Sequence, residues 1–187
     1  DEAQPPYQRP PLSKQYLSGE LGIDRVLVRP EKFYLDQNIS LQTGTRVESI
    51  DTARKSLATD IGDIYNYDKL LIATGSRPRT LTVPGSNLSG IHYLRTIDDV
   101  DGIIKATKTA KKICIVGGGY IGLEVAAIAV SLGLDVTVLE MEERILQRVT
   151  TPKMSQYYNE LHAYHGVKIL LNAGVTSFEG DHSVSKV

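Results

Sequence analysis

A cluster of glycines beyond the middle of the chain has the spacing of a dinucleotide-binding turn. Gly117, Gly119 and Gly122 form the pattern G-x-G-x-x-G directly after the apolar segment 112–116. In this pattern the first glycine permits a tight turn, the second leaves room for a pyrophosphate beside the backbone, and the third lets helix and strand pack closely. The N-terminus of the following helix offers free N–H groups and a positive dipole end to the phosphates. The spacing therefore predicts a nucleotide site.

An acidic residue, Glu140, ends the next apolar segment, roughly twenty residues after the second glycine of the motif. A carboxylate at this position can accept hydrogen bonds from a ribose 2′- and 3′-hydroxyl pair. The residues that follow it are Met141, Glu142 and Glu143, and the first arginine is Arg144. An NADP site requires a cation near this position for the 2′-phosphate, which a carboxylate repels. These residues predict NAD as the nucleotide.

Alternating strands and helices position these residues. Such alternation predicts a parallel sheet with right-handed crossovers. Thr151 is the predicted N-cap of the second helix, and Gly166 follows its end. The predicted elements are a strand over 112–116, a helix over 120–132, a strand over 135–139, a helix over 152–164 and a strand over 167–171.

Three further expectations concern the first strand and helix of this region. Helical spacing places the apolar residues Ile121, Val125, Ile128 and Leu132 on one face of the helix. Glu124 is placed in the first turn on the ligand side, where the macrodipole alone also favours an acid. Cys114 stands between two isoleucines and is predicted to be a small buried core residue.

The first half of the chain has strand patterns instead. Segments 45–50, 56–59 and 64–67 are separated by turn residues and predict a β-meander. The continuous apolar run 69–73 predicts a strand buried on both faces. A linker is predicted between Gly75 and Gly90.

Composition excludes several classes of function. The 187 residues are 41% apolar and 23% charged with a net charge of −1, and no long run of one sign occurs, which argues against a nucleic-acid binder or a polybasic membrane anchor. No apolar stretch approaches the ~18 residues of a membrane span. One cysteine permits no internal disulfide, so a cytoplasmic protein is expected. The four histidines have no metal-binding spacing.

Four segments together resemble the FAD-dependent pyridine-nucleotide oxidoreductases, and within them the ferredoxin reductases of the putidaredoxin reductase and rubredoxin reductase type. They are Pro6–Lys14, Leu71–Pro78, Tyr93–Thr96 and the glycine motif extended to Ala126. The resemblance implies an α/β fold in which a Rossmann-like NAD-binding domain with a parallel sheet accompanies part of an FAD-binding domain that contains the β-meander. It assigns residues 1–80 to the FAD-binding part and residues 81–187 to a truncated NAD-binding domain.

Both ends of the chain suggest a fragment, because it starts with Asp1 and ends within a segment that reads as the beginning of a strand. The family's FAD glycine motif is expected upstream, and further FAD contacts with a C-terminal interface domain are expected downstream. The isolated chain is therefore expected not to complete an FAD site.

The resemblance also implies roles for individual residues. Lys14 is expected beside the flavin ring, and Glu124 is expected to face it from the NAD domain, close enough to pair with Lys14. Without the resemblance, Lys14 reads as a solvated lysine, Arg95 as a cap of a surface turn and Val47 as strand core. The implied FAD contacts are Arg9, Pro10, Val47, Ala73, Thr74, Gly75 and Arg95.

The implied activity is hydride transfer from NADH to FAD, followed by release of electrons to an acceptor. Relatives that reduce disulfides need a cysteine pair near the flavin, and this chain has none, so a 2Fe-2S ferredoxin or a rubredoxin is the expected acceptor. Quinone, oxygen and a nitrite-reducing partner domain stay open as acceptors. Two alternatives also stay open: an apoptosis-inducing-factor-like flavoprotein that acts through NADH-controlled partner binding, and a nucleotide-binding fragment without activity.

Overall fold

The computed structural model describes residues 2–187, so Asp1, the first residue of the predicted FAD-binding part, lies outside the described residues. The chain forms two compact units. The first unit comprises the residues up to Gln8 together with Ile23–Arg77, and the second comprises Arg9–Gly22 together with Pro78–Val187. Each unit is described by itself below.

The first unit contains two short helices and a three-stranded antiparallel sheet. The helices are α1 (Ile23–Val26) and α2 (Glu31–Asp36), and the strands are β1 (Val47–Asp51), β2 (Ser56–Thr59) and β3 (Ile64–Asn66). The strands follow one another in the order β1-β2-β3, with Leu57 opposite both Ile50 and Tyr65. The predicted β-meander is confirmed.

The predicted buried strand over 69–73 is wrong. No regular structure is formed there, and Leu71 and Ile72 are 87% and 65% exposed. A strand buried on both faces needs paired neighbours at both edges and a layer over each face. No strand of residues 2–187 pairs with this run, so the apolar composition alone does not fold it.

The second unit is built on a parallel sheet, as predicted. Its strands are β4 (Lys112–Val116), β5 (Asp135–Leu139) and β6 (Val167–Leu170), in the order β4-β5-β6. Val116, at the end of β4, lies opposite Leu139 at the end of β5. Because parallel strands end at the same edge, the residues that follow β4 and β5 meet there.

Three helices accompany this sheet: α3 (Ile97–Thr107), α4 (Tyr120–Ser131) and α5 (Pro152–Tyr164). Helix α3 starts with a capping box in which Thr96 and Asp99 each bond the other's backbone N–H. Helix α5 starts at the predicted N-cap, because the Thr151 side chain accepts a hydrogen bond from the N–H of Met154.

The core of the second unit lies between α4 and the sheet, and it is formed by Ala126, Ala129, Leu134, Val136, Val138 and Val167. The four large apolar residues that share one face by spacing are not all part of this core. Val125 is buried, but Ile121 and Leu132 are 52% and 45% exposed. Helix α4 is apolar almost all round, so the spacing of large residues does not single out one face, and alanines let the helix approach the sheet closely.

The predicted core position of Cys114 is also wrong, because its side chain is exposed. Neighbouring side chains of a strand point to opposite faces of the sheet. Ile113 and Ile115 pack against the core beneath α4, whereas Cys114 and Val116 are on the opposite face. No layer of the described residues covers that face at β4.

Residues 9–22, here called the lysine segment, fold onto the second unit. They begin with a 3-10 helix, Pro10–Ser13, and bury Leu12 completely. The Tyr16 hydroxyl donates a hydrogen bond of 2.8 Å to Asp101 Oδ1 on α3. Burial raises the pKa of Tyr16 to about 12, and the bond to Asp101 and the charges of Asp101 and Asp98 act in the same direction. The lysine segment is thus held by packing and by a partly buried hydrogen bond.

Candidate functional site

The turn after β4 leaves an open space at the start of α4. Gly117 has φ of +109°, a conformation that glycine adopts without strain, and its N–H donates to the Leu139 carbonyl at 2.8 Å. Gly119 is the N-cap of α4 with φ of −81°. A Cβ placed on Gly119 would have no neighbouring heavy atom within 4 Å. The turn therefore presents the helix N-terminus to free space that can admit a pyrophosphate.

The third glycine of the motif is required by packing. A Cβ on Gly122 would lie 2.0 Å from the Gly117 carbonyl oxygen and 3.4 Å from Ile115 Cγ2. Only glycine allows α4 to approach the end of β4 this closely. The close packing predicted from the motif is confirmed, whereas nucleotide contact by these glycines stays a prediction.

Gly118 is a site residue that the motif does not specify. It is buried, and its N–H donates a hydrogen bond of 2.7 Å to Glu140 Oε2. A Cβ there would lie 2.7 Å from Ile145 Cγ2 and 3.1 Å from Glu140 Oε2. The only signal in the sequence is that a variable position of the motif is also glycine.

Glu140 is oriented by backbone groups from both sides. Oε2 accepts from the Gly118 N–H, and Oε1 accepts from the Glu142 N–H at 2.9 Å. A carboxylate has about four acceptor positions, so each oxygen keeps one for a ribose hydroxyl. This arrangement places a fixed acceptor at the edge of the sheet next to the glycine turn.

Arg144, the first arginine after Glu140, is bound within its own loop. Nη1 donates to the Thr150 carbonyl at 3.0 Å and to Ser155 Oγ at 2.8 Å, and Nη2 donates to the Gln147 carbonyl at 2.8 Å. Ser155 is buried. The guanidinium thus stabilises the loop between β5 and α5 and does not supply a free cation beside Glu140.

Lys14 and Glu124 form the ion pair that the resemblance implies. Lys14 Nζ lies 2.7 Å from Glu124 Oε2 and also donates to the Pro10 carbonyl at 3.1 Å. Their side chains are 41% and 30% exposed. Both residues belong to the second unit, because the lysine segment packs there. At this exposure the pair contributes about 0–1 kcal/mol to folding.

The placement of Glu124 in the first turn of α4 is wrong. Because Gly119 is the N-cap, Glu124 is the fifth residue of the helix and lies in its second turn. The macrodipole effect falls off within the first turn. The Glu124 carboxylate is therefore stabilised by the ion pair with Lys14 and not by the helix dipole.

Ser13 is a second residue that sequence reasoning missed. Its side chain is 4% exposed, and Oγ donates a hydrogen bond of 2.5 Å to Glu124 Oε2. The same carboxylate oxygen thus accepts from Ser13 and from Lys14. The signal available in the sequence is only that Ser13 precedes Lys14 in the resembling segment.

Arg95 lies at the start of α3 in the second unit. Its N–H donates to Asp99 Oδ2 at 2.9 Å, and its carbonyl accepts from Arg9 Nη1 at 2.7 Å. Its Nε is buried and has no hydrogen-bond partner among the described residues. An unsatisfied buried donor costs about 1–3 kcal/mol, so this atom points to a ligand acceptor.

The other implied FAD contacts lie in the first unit. Val47 opens β1 and is 46% exposed, so the alternative reading of this residue as strand core is wrong. Ala73, Thr74 and Gly75 are exposed and form no regular structure, and Gly75 has φ of +68°. Their contact with FAD stays a prediction.

Residues 2–187 contain no group of three or more potential metal ligands, and none of their helices combines the length and apolar character of a membrane span. His162 and His165 lie at the end of α5. Burial, and then the neighbouring His165, lowers the pKa of His162.

The glycine turn, the oriented Glu140 and the Lys14–Glu124 pair agree with a match over residues 1–187 to the family described as pyridine nucleotide-disulphide oxidoreductase. The chain belongs to this family. The ferredoxin reductase subunit of a 5,5′-dehydrodivanillate O-demethylase from Sphingobium is 44% identical over 96% of the chain and 44% of the relative. The rubredoxin-NAD(+) reductase of Pseudomonas putida is 42% identical over 96% of the chain and 46% of the relative.

Comparison of structures gives the same result. A crystal structure of a ferredoxin reductase from Rhodopseudomonas palustris superposes with a TM-score of 0.93 at 38% identity, over 97% of this chain and 45% of that one. The α/β fold with a parallel and an antiparallel sheet is therefore that of the family. The chain spans less than half the length of the relatives it matches.

Proposed function

We propose that this chain is part of an NADH-dependent flavoprotein reductase that passes a hydride from NADH to FAD and then electrons to a small redox carrier. The observation that supports this most is the Lys14–Glu124 pair, at 2.7 Å, in the same unit as the glycine turn. In this proposal residues 1–80 are part of an FAD-binding domain, and residues 81–187 form the NAD-binding domain.

The nucleotide site fits NADH. The pyrophosphate is proposed to lie at Gly117, Gly119 and Gly122, where the open space at Gly119 and the free N–H groups of α4 suit an anion. Glu140 is proposed to accept the ribose hydroxyls with its remaining acceptor positions. Because Arg144 is bound to loop carbonyls and Ser155, it would not offset the repulsion between a 2′-phosphate and the Glu140 carboxylate. NADH is therefore the proposed nucleotide in preference to NADPH.

Each unit, taken by itself, contains residues that are proposed to contact FAD. In the second unit the unpartnered Nε of Arg95 and the half-exposed Lys14 side chain are donors suited to flavin carbonyl oxygens. Arg9 and Pro10 are proposed to contact FAD beside them, because Arg9 bonds the Arg95 carbonyl and the Pro10 carbonyl accepts from Lys14. In the first unit the proposed contacts are Val47, Ala73, Thr74 and Gly75. When bound, FAD accepts two electrons as a hydride and releases them one at a time.

Glu124 and Lys14 are the proposed catalytic residues, although hydride transfer itself needs no protein acid or base. Among residues 2–187 no group donates a hydrogen bond to Glu124 Oε1, so this atom can accept one from the nicotinamide carboxamide. Lys14 compensates the charge of Glu124 and places a positive charge near the flavin. The two side chains thereby fix the position of the nicotinamide and the charge beside the ring.

A one-electron carrier, such as a 2Fe-2S ferredoxin or a rubredoxin, is the proposed acceptor. The single cysteine, Cys114, lies on β4 and offers no dithiol, and the relatives are named for ferredoxin and rubredoxin. A cytoplasmic location is proposed, which cell fractionation can test.

Anaerobic addition of NADH to the flavin-loaded full-length protein, of which this chain is proposed to be part, tests the proposal. We expect bleaching of the flavin absorbance with NADH and much slower bleaching with NADPH. Subsequent addition of a ferredoxin or a rubredoxin should restore the oxidised spectrum. A flavin that stays oxidised with NADH would refute the reductase. Bleaching that neither carrier reverses would refute the proposed acceptors and favour the alternative in which NADH controls partner binding.

A further inference from the structure

The Glu124 carboxylate is held by two donors of different character. Lys14 Nζ, 2.7 Å from Oε2, ends a flexible side chain that is 41% exposed. Ser13 Oγ, 2.5 Å from the same oxygen, belongs to a side chain that is 4% exposed and has one rotatable C–C bond. The first donor supplies a charge but little positional constraint, and the second supplies a fixed position.

The position of Ser13 is itself set by its surroundings. Ser13 ends the 3-10 helix Pro10–Ser13, whose two prolines have restricted φ angles. The preceding Leu12 is completely buried, and Tyr16 is bonded to Asp101 on α3. Contacts of this 3-10 helix with α3 and α4 hold the hydroxyl against the second turn of α4.

A buried serine hydroxyl is usually satisfied by a nearby backbone carbonyl. Ser155, which is also buried, follows this pattern and donates to the Ile145 carbonyl at 2.6 Å. The partly exposed Ser18 of the lysine segment likewise donates to a backbone carbonyl, that of Gln15, at 3.1 Å. Ser13 instead donates to a charged side chain 111 positions away. Hydrogen bonds to a charged acceptor are about twice as strong as neutral ones, so the bond constrains the Glu124 side chain.

We infer that Ser13 is a positioning residue that orients the Glu124 carboxylate, so that Oε2 is turned toward the lysine segment and Oε1 toward the nicotinamide carboxamide. This inference rests on the proposed function. It separates two tasks: Ser13 determines where the carboxylate is, and Lys14 determines the charge around it. Loss of the Ser13 hydroxyl leaves Glu124 with a mobile partner only.

The test is a thermodynamic cycle of Ser13→Ala, Glu124→Ala and the double variant in the flavin-loaded full-length protein. Ser18→Ala is the control for loss of a hydroxyl from the lysine segment. The primary readout is binding of the unreactive nucleotide 1,4,5,6-tetrahydro-NAD relative to ADP-ribose, which lacks the nicotinamide, measured by calorimetry. We expect Ser13→Ala to weaken the tetrahydro nucleotide about threefold to tenfold, a fraction of a charged hydrogen bond, and to leave ADP-ribose unchanged. Ser18→Ala should change neither.

The second readout is the rate of flavin reduction at saturating NADH, where Ser13→Ala should cause a similar slowing. In the Glu124→Ala background, Ser13→Ala should have no further effect on either readout. An equal effect in both backgrounds would show that Ser13 acts by supporting the fold, and no effect in the wild-type background would show that the hydroxyl does not position Glu124. Either result overturns the inference and leaves the reductase intact. If the wild-type flavin is not reduced by NADH, the proposed function fails first, and the inference fails with it.

Discussion

Lys14 Nζ and Glu124 Oε2 lie 2.7 Å apart although the two residues come from opposite halves of the chain. The lysine segment makes this possible. The residues before and after it in sequence belong to the first unit, but the segment itself packs on α3 and α4 of the second unit. Glu124 is in turn positioned by α4, which starts at the glycine turn. The geometry therefore links the proposed flavin side of the site directly to the proposed nucleotide side.

Glu140→Arg should weaken NADH binding about tenfold or more and improve binding of NADPH, because it replaces the ribose acceptor by a cation suited to a 2′-phosphate. Titration of both nucleotides into wild type and variant measures the change. Glu143→Arg is the matched control, because Glu143 is exposed and its substitution makes the same change of charge close to Glu140. Equal preferences in wild type and Glu140→Arg would mean that Glu140 does not contact the ribose.

Gly119→Val should abolish NADH binding in a folded protein. Gly119 has φ of −81° and open space around its Cβ position, so valine fits the backbone and occupies the space proposed for the pyrophosphate. Circular dichroism monitors folding, and calorimetry monitors NADH. Wild-type affinity in the folded variant would refute the placement of the pyrophosphate.

Gly122→Ala should act on stability first. The added Cβ would lie 2.0 Å from the Gly117 carbonyl oxygen, so α4 or the turn must shift. Overpacking of this kind costs about 1–3 kcal/mol. Chemical denaturation of the variant should show this loss of unfolding free energy. Gly133→Ala cannot serve as a control, because Gly133 has φ of +82° and alanine would be strained there. Wild-type stability would mean that α4 does not pack this closely.

Tyr16→Phe tests how the lysine segment is anchored. The pKa of Tyr16 is raised from 10.0 to about 12, so the folded state favours the protonated phenol. Its contribution to stability is fully present below pH 10 and is lost as the pH rises from 10 to about 12. The difference in unfolding free energy between wild type and Tyr16→Phe should therefore shrink across this range. A difference independent of pH would contradict the raised pKa of Tyr16, which burial and the contact with Asp101 cause together.

The sequence predicts those features of the structure that depend on residues close together in the chain. The glycine spacing predicts the turn at Gly117 and the close packing at Gly122, and alternation of strands and helices predicts the parallel sheet. Prediction failed where tertiary neighbours decide the outcome. Cys114 has the composition of a core strand but lies on a face that no described layer covers, and residues 69–73 lack a pairing strand. Ser13 was missed because its role depends on a contact across 111 positions, which spacing cannot reveal.

The central claim is that Lys14 and Glu124 act as one unit when NADH reduces the flavin. Stopped-flow measurement of flavin reduction in the full-length protein, as wild type, Lys14→Ala, Glu124→Ala and the double variant, tests it most directly. We expect each single change to slow reduction, and the double change to slow it less than the sum of the two effects in free energy, as for residues in direct contact. Strict additivity within error would mean that the two residues act independently and would contradict the account.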